Sequence, residues 1–176
     1  TATDGGYVGV SADANRPFGF NVQKFEADGR ATWRLNSAND NVEIVDICQC
    51  PDGGYALATT VNANNQRFDI VSNGKKDMGI IKLDDRGRIQ NDWHFGGPED
   101  QQPSSIGCDA DGGYLLVGSS DGFGGDVGLH NYSLPATATG LWALSIREDG
   151  RIIWDKKIGD DATSRGRSIR PTPDGG

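Results

Sequence analysis

Apolar residues in this chain fall in short alternating runs broken by Gly-rich turns. Met78-Gly79-Ile80-Ile81-Lys82-Leu83 and Leu141-Trp142-Ala143-Leu144-Ser145-Ile146 place apolar side chains on alternate positions, the period of a strand with one buried face. No stretch keeps the three-and-four spacing of an amphipathic helix over 11 or more positions. The pattern predicts twelve strands, at approximately 7–12, 19–26, 30–36 and 43–50, then 55–61, 77–84, 88–95 and 104–110, then 114–120, 140–147, 151–158 and 165–172.

The turns between these runs repeat. Asp4-Gly5-Gly6-Tyr7 recurs as Asp52-Gly53-Gly54-Tyr55 and Asp111-Gly112-Gly113-Tyr114, and Asp174-Gly175-Gly176 starts the motif again. The intervals are 48, 59 and 63 residues. A second turn follows in each copy, as Asp28-Gly29-Arg30, Asp85-Arg86-Gly87-Arg88 and Asp149-Gly150-Arg151, and a Trp follows each of these, at Trp33, Trp93 and Trp154. Gly at the turn supplies the positive φ that a tight hairpin demands. The second and third segments of each copy therefore read as a hairpin. Asp-Gly-Gly reads as the link from one copy's fourth segment to the next copy's first.

Chain length varies in one place only. From the Gly-Gly to the second turn's Gly the distances are 23, 33 and 37 residues, whereas from that Gly to the next Gly-Gly they are 25, 26 and 26. Insertions therefore collect between the first and second segments, which a repeat architecture sends to one face of the assembly. The expected domain plan is a single repeat domain over 1–176, with repeats at approximately 4–51, 52–110 and 111–173. The expected fold is all-β: about three four-stranded antiparallel blades of a β-propeller, as a fragment or a self-associating unit. A β-trefoil is the alternative, since three copies and twelve strands also describe one.

Composition sharpens this picture. Gly makes up 26 of 176 residues, about twice the usual share of ~7 %, without a collagen period. The net charge of −8 points away from nucleic acid, whose phosphates require a basic face. No apolar run approaches the ~18 residues of a membrane helix, so no membrane insertion is expected. Cys48 and Cys50 share one face of a strand, where bonding to each other would be strained. Buried free thiols at Cys48, Cys50 and Cys108 are the expectation, with a Cys48–Cys108 or Cys50–Cys108 bridge as the alternative.

Candidate chemistry is sparse. With His94 and His130 the only histidines, a His-rich metal site is excluded, and there is no nucleophile elbow, phosphate loop or zinc spacing, so no catalytic residue is assigned. The repeated Trp residues read as packing between neighbouring units, and Trp142 as core. The motif Tyr residues read as packed rings whose hydroxyls reach backbone partners. Asp4, Asp52 and Asp111 read as caps of their own turns. The best binding candidate is the third insertion, with Asp121, Phe123, Asp126, His130 and Tyr132. Asp121 and Asp126, beside glycine-freed carbonyls, are weak calcium candidates, although the spacing is not that of an EF-hand.

Several of these runs resemble a known class. Asp111–Ser120, Ile81-Lys82-Leu83-Asp84-Asp85-Arg86-Gly87, His94-Phe95-Gly96-Gly97, Ser120–Val127 and Ser145–Gly159 are similar to the Asp-Gly-Gly-Tyr propeller repeats of secreted and cell-surface bacterial proteins. The first copy departs from that pattern, with Leu35-Asn36-Ser37 where the Phe-Gly-Gly turn stands elsewhere. The resemblance covers essentially the whole chain and carries over no catalytic residues. It implies an extracellular or cell-surface scaffold or adhesion/recognition module that meets a protein or glycan partner on its insertion face. Further blades of the same parent chain, or a second copy, are the other expected partners. The alternatives are part of a propeller enzyme, acting on glycans or as a quinone-type dehydrogenase, and a β-trefoil lectin.

Overall fold

The computed structural model describes residues 2, 4–12, 19–37, 41–62, 75–128, 139–159 and 164–172. Eleven strands and no helix occur among them. They are β1 (Tyr7–Ala12), β2 (Phe20–Phe25), β3 (Ala31–Ser37), β4 (Val42–Gln49), β5 (Tyr55–Asn62), β6 (Lys76–Leu83), β7 (Ile89–Phe95), β8 (Gln101–Cys108), β9 (Tyr114–Ser120), β10 (Gly140–Ile146) and β11 (Ile152–Ile158). All pairing is antiparallel and gives three sheets, β1-β2-β3, β4-β5-β6-β7 and β8-β9-β10-β11.

Eleven of the twelve expected strands are present, but their grouping shifts by one strand. Asp-Gly-Gly does not link one sheet to the next; it is a hairpin turn inside a sheet, so that Gln49 pairs with Tyr55 and Cys108 with Tyr114. The cause is the turn itself. Cys50 N–H donates to Gly54 O and Gly53 N–H to Cys50 O, with Gly53 at φ 83°, which folds β5 straight back onto β4. The second and third sheets therefore each begin with the strand that precedes the motif, and the sheet-to-sheet crossing comes after the Trp strand. The twelfth expected strand, over 165–172, is absent: residues 164–172 form no ladder among the described residues.

Two cores fill the spaces between sheets. Phe20, Val22, Val42, Tyr55, Leu57, Val61, Ile81 and Leu83 pack between the first and second sheets. Ala56, Ala58, Met78, Ile80, Ile106, Leu116, Trp142, Leu144 and Ile146 pack between the second and third. The middle sheet thus buries both faces, and β5 and β6 are buried along nearly their whole length. Their near-continuous apolar sequence is what a doubly covered strand requires. By contrast β1 is mostly exposed.

The repeated aromatics make the junctions. Trp33 reaches forward to the second sheet, donating its indole N–H to Asp85 O (3.0 Å) and meeting the Tyr55 ring edge-on at 5.8 Å. Trp93 makes the same reach to the third sheet, with its ring 5.7 Å from that of Tyr114. Each Trp lies over the glycine of the next sheet's second turn: a Cβ on Gly87 would meet Trp33, and one on Gly150 would meet Trp93. Packing between neighbouring units is therefore the role of Trp33 and Trp93, and Trp142 is wholly buried as expected. Trp93 follows its turn glycine by six residues rather than the four of Trp33 and Trp154. An offset of two keeps the same strand face, so the contact survives.

Asp4 and Asp52 cap their motif turns, each accepting the second glycine's N–H at Oδ1. In the third copy the cap is not Asp111 but Asp109, which accepts from both Asp111 and Gly113. The substitution tracks a partner. Asp4 and Asp52 are held by Lys24 and Lys82 at 2.6 and 2.7 Å, and Ser145 stands in the matching place of the third sheet.

The cysteine expectation is corrected. Cys50 and Cys108 form a disulfide, with Cα atoms 5.2 Å apart, and Cys48 is the free thiol. β4 and β8 run side by side as the first strands of adjoining sheets, held also by Asp46, whose Oδ2 accepts from Ser105 Oγ (2.8 Å) and Ile106 N–H (3.0 Å). Strand adjacency across two sheets is a tertiary fact that cysteine spacing cannot reveal.

Candidate functional site

Antiparallel pairing places the β1–β2, β5–β6 and β9–β10 connections at the same end of their sheets, opposite the Asp-Gly turns. These are the three connections whose lengths vary. Residues 63–74, most of the second insertion, lie outside the described residues, as do His130 and Tyr132 of the third. Residues 121–128 are described, and their local structure is dictated by glycine. Positive φ at Gly124, Gly125 and Gly128 turns the chain tightly enough for Gly124 and Val127 to exchange backbone hydrogen bonds.

This loop folds back onto the crossing between the second and third sheets. Asp126 Oδ2 accepts Gly96 N–H (3.1 Å) while Asp126 N–H donates to Gly96 O (2.8 Å), a reciprocal clamp on the Phe-Gly-Gly turn. Gly97 N–H in turn donates to the buried Gln101 amide oxygen, and Gln101 Nε2 donates to Ser120 Oγ. Asp121 N–H donates to Asp100 O, and its carboxylate accepts from Thr139 Oγ1 at 3.1 Å.

The loop's other side is anchored by β11. Lys157, buried in the sheet, donates to Gly122 O at 2.9 Å and stands 4.1 Å over the Phe123 ring. Burial lowers the Lys157 pKa, with Asp121 pulling the other way. Asp155, with no exposed surface, accepts Gly128 N–H (3.0 Å) and the Trp142 indole N–H (3.1 Å) at one oxygen. Phe123 packs against the core between the second and third sheets.

Three of the five candidates are thus located, and each helps to hold the loop in place. Phe123 wedges into the core, Asp126 clamps the Phe-Gly-Gly turn, and Asp121 ties the start of the loop to Asp100 and Thr139. Asp121, Gly124 and Gly125 remain at the surface. Among the described residues, Asp121 and Asp126 join no cluster of three or more metal-ligating groups; the one such cluster is Cys48, Cys50 and Cys108. There, Cys48 Sγ lies 2.8 Å from Cys108 Sγ, and burial, with Asp46 adding to it, pushes the Cys48 thiol up to about 12. Gln101, Asp155 and Lys157 were missed by sequence reasoning. A signal existed for two of them: Asp155 and Lys157 are opposite charges two apart, on one face of an expected strand.

No family model matches this sequence, and no curated protein matches it. Among solved structures, a protein of unknown function from Bacteroides caccae is similar, at 15 % identity and a TM-score of 0.47 over 97 % of this chain. The chain spans about half the length of that protein, covering 52 % of it.

Proposed function

We propose that this chain is a non-catalytic β-propeller-type repeat segment that serves as an extracellular or cell-surface recognition module. Its binding face is the end carrying the variable connections. The observation that carries this reading is the start of the third insertion, residues 121–128, which Asp126, Lys157 and Asp155 tie to two sheets. A loop ordered by buried polar ties presents its surface groups without losing much conformational entropy on binding. The constant Asp-Gly turns at the opposite end are the framework.

The propeller assignment is supported by the regular Trp-on-glycine junction, which stacks successive antiparallel sheets in one sense. The trefoil alternative has less support, since every ladder closes within its own sheet of three or four strands. An oxidising location is supported by the Cys50–Cys108 disulfide, because such bonds persist mainly outside the cytosol. A protein or glycan ligand suits exposed Asp121 and the polar insertions better than an acidic polymer does, given the net charge of −8.

The test is a glycan array, together with a panel of purified surface proteins, probed with the chain and with a variant in which residues 129–138 are replaced by a Gly-Ser linker. Binding that disappears in the variant, with the sheet circular dichroism unchanged, is the expected result. Retained binding would move the site elsewhere, and turnover of any glycan substrate would overturn the non-catalytic reading.

A further inference from the structure

Three sulfur atoms meet where β4 runs beside β8, at the end of the sheets that carries the Asp-Gly-Gly turns. Cys48 and Cys50 lie two residues apart at the close of β4, and Cys108 is the last residue of β8. Their Sγ atoms all lie within 4.8 Å of one another. Cys50 and Cys108 are bonded, and the free Cys48 Sγ stands 2.8 Å from Cys108 Sγ. A disulfide needs two sulfurs; here a third is gathered with them.

The disulfide is not all that holds these strands together. Asp46 Oδ2 ties β4 to β8 by accepting from Ser105 Oγ and Ile106 N–H, and Arg170 Nη1 donates to the same Ser105 Oγ at 2.7 Å. Cys48 is fixed opposite Ala56 and Cys108 opposite Tyr114 by their ladders. Opening the disulfide breaks none of these ties, so reduction leaves three thiols close together on a preset frame. Sulfurs bound to one ion at ~2.3 Å stand about 4 Å apart or less, which the spacing here nearly meets.

A set of thiolates selects a soft ion, and the surroundings select its charge. Cys50 is buried, and Cys48 and Cys108 are half-buried against a core that includes Ala56, Ile106 and Tyr114. Burial, with Asp46 adding to it, opposes negative charge on the Cys48 sulfur, and Arg170 offsets this only in part. A monovalent ion on three thiolates leaves two negative charges, and a divalent ion leaves one. A trivalent ion leaves none, which is the least costly charge state to bury.

We propose that the reduced chain takes up one trivalent thiophilic ion of the As(III) class through Cys48, Cys50 and Cys108, and that the Cys50–Cys108 disulfide closes this site. The inference goes beyond the recognition reading and does not depend on it. To open the site, a phosphine or dithiol reductant gives two electrons to the disulfide, and each sulfur takes up a proton. The phosphine leaves as its oxide, with oxygen from water, and a dithiol leaves as its own cyclic disulfide. Uptake itself is not a redox step. Three S–H groups and arsenous acid form three As–S bonds as three As–O bonds break, and three water molecules leave.

Arsenite titration of the full chain tests this, after reduction by a phosphine that is removed before the ion is added. Native mass spectrometry is expected to show one arsenic per reduced chain with the loss of three protons, and none on the oxidised chain. Because the site belongs to the folded state, arsenite should raise the urea denaturation midpoint of the reduced chain. If reduction alone unfolds the chain, arsenite should restore the near-ultraviolet circular dichroism of buried Trp142. Cys48→Ser keeps the disulfide pair and leaves two thiols on reduction. Its arsenite affinity should be weaker by roughly tenfold or more, since outer-shell partners alone are worth that much. Equal affinity in Cys48→Ser would show a two-thiol site and overturn the proposal. No uptake would overturn it as well, and so would binding that is as tight in urea as in the folded chain.

Discussion

Tyr55 and Tyr114 hold the same place in successive sheets, but their hydroxyls end in different surroundings. Tyr55 meets the Lys24 ammonium, which also holds Asp4, so that burial raises its pKa while Lys24 opposes. The Tyr114 hydroxyl is buried with no hydrogen-bond partner among the described residues, and burial, with Glu148 and Asp52 adding to it, pushes its pKa up to about 12. The expectation that each motif Tyr reaches a backbone group therefore fails at both. Sequence alone identifies the ring as packed, but not which charged side chain of the preceding sheet meets its tip. A buried unpartnered hydroxyl costs about 1–3 kcal/mol, so Tyr114→Phe is expected to leave stability at pH 7 unchanged or raise it by about 1 kcal/mol. Because the folded pKa lies above the unfolded value of ~10, the phenol's contribution is fully present below pH ~10. It is lost as pH rises towards 12, as the unfolded chain ionises first. Urea unfolding at pH 7 and pH 11 checks both points: the alkaline loss should be smaller in Tyr114→Phe. A variant destabilised by more than about 1 kcal/mol at pH 7 would mean that the hydroxyl has a partner.

At the scale of elements, period and turn chemistry made the strands legible, and the insertions were correctly placed in the β1–β2, β5–β6 and β9–β10 connections. What could not be read was which strands lie side by side without sharing a ladder. β4 and β8 touch across two sheets, and this contact decides the cysteine pairing. The same holds for the loop over 121–128, whose clamps on Gly96 and from Lys157 come from strands far along the chain. Closing a loop of 58 residues by disulfide stabilises by about 4 kcal/mol through lost unfolded-state entropy. Cys108→Ser should therefore lower the denaturation midpoint markedly. Cys50→Ser should not, because Cys48 Sγ already lies 2.8 Å from Cys108 Sγ and can take over the bond. Non-reducing peptide mapping of Cys50→Ser is expected to recover a Cys48–Cys108 link, and a fully reduced variant would count against that substitution of partners. In the unsubstituted protein, burial keeps Cys48 protonated well above neutral pH, so a thiol alkylating agent should label it only after unfolding.

For the whole molecule, stability should be distributed as in other repeat arrays, where each unit is held by its own packing plus its neighbours. The middle sheet has a neighbour on both faces, and β5 and β6 carry almost no exposed residue. The first sheet has a neighbour on one face, three strands rather than four, and exposed side chains along β1 and β3. Amide exchange in dilute solution should therefore run in order: β1 and β3 fastest, β9 and β10 slower, β5 and β6 slowest, near the global unfolding limit.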